Sequence, residues 1–219
     1  MLQVLNFLSA LRENNNKEWF DQNREWYQES RKKVVFLTEL IIHELGKFDD
    51  EIGVQDPHHC IFRIFRDVRF SNDKTPYKTH IGTYIAKGGR KSIYAGYYLH
   101  IEPGGSVVGG GAWSPQADAL KAIRTEIFDH PEEFKKIIHA PSFQKIYQQM
   151  YDDKLKTAPK AFPKDFADID LLKYKSYAFD SPLSDSAVTD DHFVEKIITS
   201  MKQLYPVNRF LNSALDKWM

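Results

Sequence analysis

The hydrophobic period of the chain changes twice, and these changes restrict its fold more than any other feature. Val4, Leu5, Phe7, Leu8 and Leu11 make a short helical stripe, and Trp19, Phe20, Trp26, Tyr27, Val34, Leu37, Leu40, Ile41, Leu45 and Phe48 a second, broader one. Asn14 to Asn16 offer an N-cap for that second helix, which is expected to begin near Lys17. After "DDEIGVQDPHH" the period drops to two. Ile61–Phe70, Ile81–Ala86, Ile93–Glu102 and Ser106–Trp113 then read as strands rich in aromatic and β-branched residues. Gly88-Gly89 and Pro103-Gly104-Gly105 separate successive strands at hairpin lengths, so the sheet is expected to be antiparallel. Helical spacing then returns. Ser114-Pro115 opens one helix, Pro131 the next, and Ser142 to Tyr151 follows. Prolines 159, 163 and 182 break the stretch 154–184, leaving a short strand at Lys175 to Phe179. Phe193, Ile197, Ile198, Met201 and Leu204 form a late helical stripe, and Pro206 is expected to start a final helix.

This order implies an α+β fold, a central antiparallel sheet of about four to six strands flanked by N-terminal and C-terminal helices. A chain of 219 residues can bury such a core as one domain over residues 1–219. The N-terminal helices would occupy about 3–48, the sheet about 60–113 and the C-terminal helices about 115–217. Thirty basic residues balance thirty acidic ones, so no global field draws the chain to nucleic acid or an anionic membrane. No apolar run approaches the ~20 residues of a membrane helix, and the start lacks a cationic leader, so a soluble, cytoplasmic protein without a membrane partner is expected. The single cysteine, Cys60, excludes an internal disulfide and a Cys-rich metal centre, and reads as a small core residue.

Charge is concentrated in "RIFRDVRFSNDKTPYKTH", residues 63–80. Read as a strand, Arg63, Phe65, Asp67 and Arg69 share one face, with Asp67 placed to pair with Arg69 and Arg63. Arg66 falls on the opposite, apolar face beside Phe62, Ile64, Val68 and Phe70. A buried guanidinium without a counter-group costs several kcal/mol, so Arg66 must have a partner in the protein or in a ligand. Ser71, Asn72, Asp73 and Pro76 form turns, which places Lys74, Tyr77 and Lys78 on a loop. Arginines grip phosphate or carboxylate in pairs of bonds, lysine adds a point charge and tyrosine donates or stacks. Arg63, Arg66, Asp67, Arg69, Asp73, Lys74, Tyr77, Lys78 and His80 are therefore the candidate ligand-binding residues. The competing reading, equally open at this point, is an ion-pair frame that holds a loop.

The spacing of Arg63, Arg66, Asp67, Arg69, Phe70, Lys74 and Tyr77 resembles RxxRDxRFxxxKxxY, the signature of a widespread family of microbial proteins bearing a domain of unknown function. The asparagine-rich start with Trp19 and Phe20, "AGYYLHIEPG", "GGGAWSP" and "LLKYKSY" are similar to the same family, so the resemblance spans nearly the whole chain. It implies kinship without a reaction or a ligand.

Other groups give weaker signals. Gly109 to Gly111 precede a helix but lack a phosphate-loop or dinucleotide spacing, so they read as a bulge or a close backbone approach. The histidines are scattered with no i, i+4 ligand pair, and neither a metal nor a cofactor is expected. His80 and His100 both fall on the sheet, and "YYLH" puts Tyr98 and His100 on one face, Tyr97 and Leu99 on the other. The expected function is a pocket for a small phosphorylated or carboxylated ligand. The alternatives are a nucleic-acid module stacking bases on Tyr77, Tyr94 and Tyr98, and a non-catalytic scaffold.

Overall fold

The computed structural model describes residues 1–218. Helix α1 (Leu2–Glu13) leads to α2 (Lys17–Gln22), which is capped as expected by the Asn16 side chain accepting from the Trp19 amide at 2.9 Å. The expected second helix is split at Asn23, where the backbone leaves helical values before α3 (Arg24–Leu45). A short α4 (Pro57–Cys60) precedes the sheet, made of β1 (Ile81–Ala86), β2 (Gly96–Ile101), β3 (Ser106–Ala112) and β4 (Tyr177–Leu183). The strands pair antiparallel in the order β1-β2-β3-β4. Between β3 and β4 lie α5 (Ala117–Asp129), α6 (Pro131–Ile138), α7 (Pro141–Gln144) and α8 (Ile169–Leu172); α9 (Asp185–Thr189) and α10 (Phe193–Trp218) complete the chain.

The fold is α+β with helices before and after a four-stranded sheet, as the change of period requires. β4 realises the short late strand and carries Pro182 on the sheet edge, where a missing amide leaves no ladder bond unmade. Several expectations need correction. The helical segment expected from Ser142 to Tyr151 is only the single turn α7, because Met150 leaves it to bridge β4 at Phe179. Helix α10 runs through Pro206 instead of restarting there, because Leu204, Val207, Phe210 and Leu211 on both sides of the proline are buried along one stripe. The helix expected from Ser114 starts at Ala117. Ser114 instead takes a left-handed turn at φ 44° and its amide donates to Ser176 Oγ at 2.9 Å.

The last correction matters for the site: Ile61–Phe70 is not a strand of the sheet. Only Ile61 bridges β1, at Thr83, with the Phe62 amide donating to Gly82 O at 2.9 Å. The chain then folds back on itself, as the Arg66 amide donates to Pro76 O at 2.9 Å and the Lys78 amide to Ile64 O at 2.8 Å. The resulting ribbon meets the outer edge of β1 only at its start, where Ile61 and Phe62 cover part of a row that would otherwise be open to pairing.

The two faces of the sheet differ. Ile81, Thr83, Ile85, Tyr97, Leu99, Ile101, Val108, Tyr177 and Phe179 point into the core, against α3 and α10. His80, Gly82, Tyr98, His100, Glu102 and Val107 occupy the other face, of which only Gly82 is buried and which is partly open to solvent. The glycines of β3 serve close packing: a Cβ on Gly110 would meet Gly96 O and, at 3.0 Å, Leu204 Cδ1, and Gly111 has φ 107°. The sheet follows chain order, yet the charged ribbon sits beyond β1 and these glycines lie on β3, so β1 and β2 separate the two features.

Candidate functional site

The ribbon of residues 61–78 is held from within and from below. Tyr77 is 4% exposed, its ring stacked on Phe20 with centroids 4.0 Å apart at 13°. Asn15 clasps the Tyr77 backbone, its Nδ2 donating to the carbonyl at 2.9 Å and its Oδ1 accepting from the amide at 3.1 Å. The tip closes on Arg66, which pairs with Asp73, donates to Thr75 Oγ1 and reaches Ser71 Oγ at 3.5 Å. Asp73 Oδ1 also accepts from the Thr75 amide at 2.9 Å. That bond first, and Arg66 after it, hold the Asp73 carboxyl down at about 2. Arg66 thus finds its partner inside the protein. It does not lie on a buried apolar face, because alternation ends where the chain reverses and Phe70 stands 96% exposed.

Arg69 grips Asp67 with two bonds, 2.9 Å from Nε and 2.6 Å from Nη2, in an exposed pair. Lys74 donates to Val68 O at 3.0 Å. Arg66, Asp67, Arg69, Asp73, Lys74 and Tyr77 are therefore joined as the ribbon's own internal frame.

Lys78 and His80 go elsewhere, towards the open face of the sheet, and the exposed Arg63 stands near Lys78. Lys78 and Arg90 lie over the Phe62 ring, Lys78 Nζ 5.6 Å and Arg90 Cζ 4.6 Å from its centroid, and Arg63 joins them as a third cation whose charge reaches Lys78. Among the described residues none of the three makes an ion pair with a carboxylate. Burial, and then the charges of Arg63 and Arg90, hold the Lys78 ammonium below its ordinary value. Arg90 is fixed by donating Nε–H to His59 O at 2.9 Å.

Beside this group lies a row of polar side chains. Phe62 stands edge-on to Tyr98, with centroids 6.5 Å apart at 76°. Tyr98 meets His100 Nδ1 at 2.9 Å, and His100 Nε2 meets Glu102 Oε2 at 2.9 Å. Thr79 Oγ1 donates to the other carboxylate oxygen, Glu102 Oε1, at 2.9 Å. An ionised Glu102 only accepts, so Nε2 carries a proton, and the Tyr98 hydroxyl, able to donate or accept, satisfies Nδ1. His80 stacks on His100 with centroids 4.2 Å apart at 26°. Gly82, opposite His100 in the ladder, makes room for Tyr98 to lie across β1: a Cβ there would sit 2.9 Å from the tyrosine oxygen and 3.3 Å from Phe62.

The electrostatics follow from this crowding. His80 is lowered from 6.5 to about 4, by burial first and then by His100, with Lys78 adding to the effect and Glu102 opposing it. Burial pushes Glu102 up, but its bonds from His100 and Thr79 and the charges of both histidines outweigh that and leave it below the ordinary range. Tyr98 rises to about 12 through burial and the charge of Glu102. At neutral pH His80 is therefore a neutral imidazole, Glu102 an ionised carboxylate and Tyr98 a protonated phenol.

The sequence pattern pointed to Tyr98 and His100 by alternation, and the same alternation extends to Glu102, which it missed. Arg90 and Thr79 carried no signal, since one lies in the β1–β2 connection and the other beside the ribbon's end. Tyr77 and Tyr94, offered as base-stacking groups, are both buried. Tyr97 is the core tyrosine, donating to Asp49 Oδ2 at 2.7 Å. Cys60 is buried, and burial raises its thiol above the ordinary value, which keeps it protonated.

No helix among the described residues is long and apolar enough to cross a membrane. No curated protein and no solved structure matches the chain. The model of the conserved hypothetical protein family DUF2461 matches residues 3–210, nearly the whole length over which the helices, the charged ribbon and the sheet have been described, and the chain belongs to that family.

Proposed function

We propose that the open sheet face beside the ribbon binds a small phosphorylated or carboxylated molecule, held by Arg63, Lys78 and Arg90. One observation carries this reading: Lys78 and Arg90 lie over the Phe62 ring without an ion pair to a carboxylate, and Arg63, also without one, is close enough to join Arg90 in depressing Lys78. Unlike the frame cations, none of the three makes an ion pair, Arg63 only feeling the exposed Asp67 at a distance, and an anion supplies the missing partner. Tyr98 and His80 flank the position and offer neutral donors or acceptors to the rest of the ligand. A cytoplasmic setting, where small phosphorylated compounds are retained, fits this reading.

The test is titration of the protein with inorganic phosphate and with short dicarboxylates, followed by chemical shifts of the Tyr98 and His80 rings. A charge-assisted bond contributes ~1.5–3 kcal/mol, so Arg63→Gln and Lys78→Met should each weaken binding roughly 10- to 100-fold. Arg69→Gln should leave it unchanged. Binding that survives both of the first two substitutions, or disappears with Arg69, sinks the reading.

A further inference from the structure

We propose that His80, His100 and Glu102 form a binding site for one divalent transition cation of the zinc, manganese or cobalt type, with at least one coordination position left open. The ligand atoms these three residues offer all lie within 4.8 Å of one another, and all three side chains are partly buried on the open face of the sheet. Two imidazoles and one carboxylate match the preference of such ions for nitrogen and oxygen donors, and three protein ligands leave room for water or substrate.

Two features set this cluster apart from histidines that merely share a surface. First, His100 Nε2 and Glu102 Oε2 stand 2.9 Å apart, close to the ~3.0–3.4 Å separation of two octahedral or tetrahedral donors that each lie ~2.1 Å from one ion. Second, the outer atoms of the same groups are already occupied. The Tyr98 hydroxyl is on His100 Nδ1 at 2.9 Å, and Thr79 Oγ1 is on Glu102 Oε1 at 2.9 Å. That is the arrangement by which supporting residues turn the inner nitrogen and oxygen towards an ion. A hydroxyl both donates and accepts, so when an ion displaces the proton from Nε2 the tautomer shifts and Nδ1–H donates to Tyr98 oxygen. His80 makes no hydrogen bond of its own among the described residues, and its ring is stacked on His100, next to the same position. The sequence offered no metal-ligand spacing because its ligands come from two strands: extension of the β1–β2 register sets His80 across from Glu102.

Lys78 lies near His80 and repels a lone cation, with Arg63 and Arg90 next to Lys78. An anion on those groups would relieve the repulsion, so metal and phosphate should each raise the affinity for the other by the same factor. This coupling rests on the function proposed above; the ion site itself does not.

The experiment uses the full chain stripped with a chelator and titrated with Zn2+, Mn2+ and Co2+ by calorimetry, without and then with phosphate. One ion per chain is expected, lost at least 100-fold in Glu102→Gln and in His100→Gln, weakened roughly tenfold in Thr79→Val, and unchanged in a His58→Ala/His59→Ala control. Should a variant fail to fold, paramagnetic broadening in the wild-type chain decides: Co2+ or Mn2+ should broaden His80, His100 and Tyr98 resonances first. No binding by the wild type, binding that survives both the Glu102 and His100 substitutions, or broadening centred on His58 and His59 overturns the proposal. Metal binding without coupling to phosphate leaves the ion site standing and counts against the anion pocket alone.

Discussion

His80 and His100 stack with ring centroids 4.2 Å apart, although one precedes β1 and the other sits within β2. The stack joins the cationic group at Phe62 to the Tyr98–His100–Glu102 row, so perturbing either side is felt by the other.

Removing Gly82's special space should test how closely that row is fitted. Gly82→Ala places a methyl 2.9 Å from the Tyr98 oxygen and 3.3 Å from Phe62, so the tyrosine has to move off His100. Overpacking of this kind costs about 1–3 kcal/mol. Denaturant unfolding should show that loss together with an altered His100 ring resonance; an unshifted resonance would mean that the row is looser than its geometry indicates.

Lys78 is held against two other cations, so neutralising it should not destabilise the fold. Lys78→Met is expected to leave the melting temperature unchanged or raise it, since repulsion from Arg63 and Arg90 disappears while the apolar stem still covers Phe62. A clear drop in melting temperature would make Lys78 a member of the frame.

Arg66 should behave in the opposite way. Arg66→Ala leaves Asp73, Thr75 and Ser71 without their common donor at the ribbon tip, and the melting temperature should fall by roughly 2–4 °C while phosphate affinity is kept. The contribution of Asp73 is present above its ordinary value of 3.8 and is lost only as pH falls through about 2, so the ribbon tip should stay closed in mild acid. Amide exchange of Thr75 across that range reads the tip directly; opening near pH 4 would contradict it.

His80 supplies a pH dependence of known sign. Its folded value lies near 4 against an ordinary 6.5, so between these limits the unfolded chain binds a proton that the native state refuses. With chelator present, stability should therefore decline as pH falls from about 6.5 towards 4, by at most about 3 kcal/mol and by less where solvent screens the site. His80→Gln should flatten that part of the curve, and an identical slope in the variant would assign the loss to other groups.

The division between what was legible in the chain and what was not follows a physical line. The order of helices and strands, the antiparallel hairpins and the N-cap at Asn16 rest on interactions between residues close in sequence, and period and turn chemistry report those directly. Alternation likewise put Tyr98 with His100 and paired Asp67 with Arg69. The same alternation failed for Arg66, since the chain leaves β1 after Phe62 and folds back, and only neighbours two apart such as Asp67 and Arg69 keep their relation once the pleat ends. Whether Arg66 met Asp73 or a ligand, and that Arg90 and Glu102 would join Lys78 and His80, depended on which distant segments the sheet register and the Tyr77–Phe20 stack brought side by side. Composition set the supply of charge. Only the tertiary path decided which charges neutralise one another and which are left facing the open sheet, because pairing at a few ångströms is a property of positions in space and not of spacing along the chain.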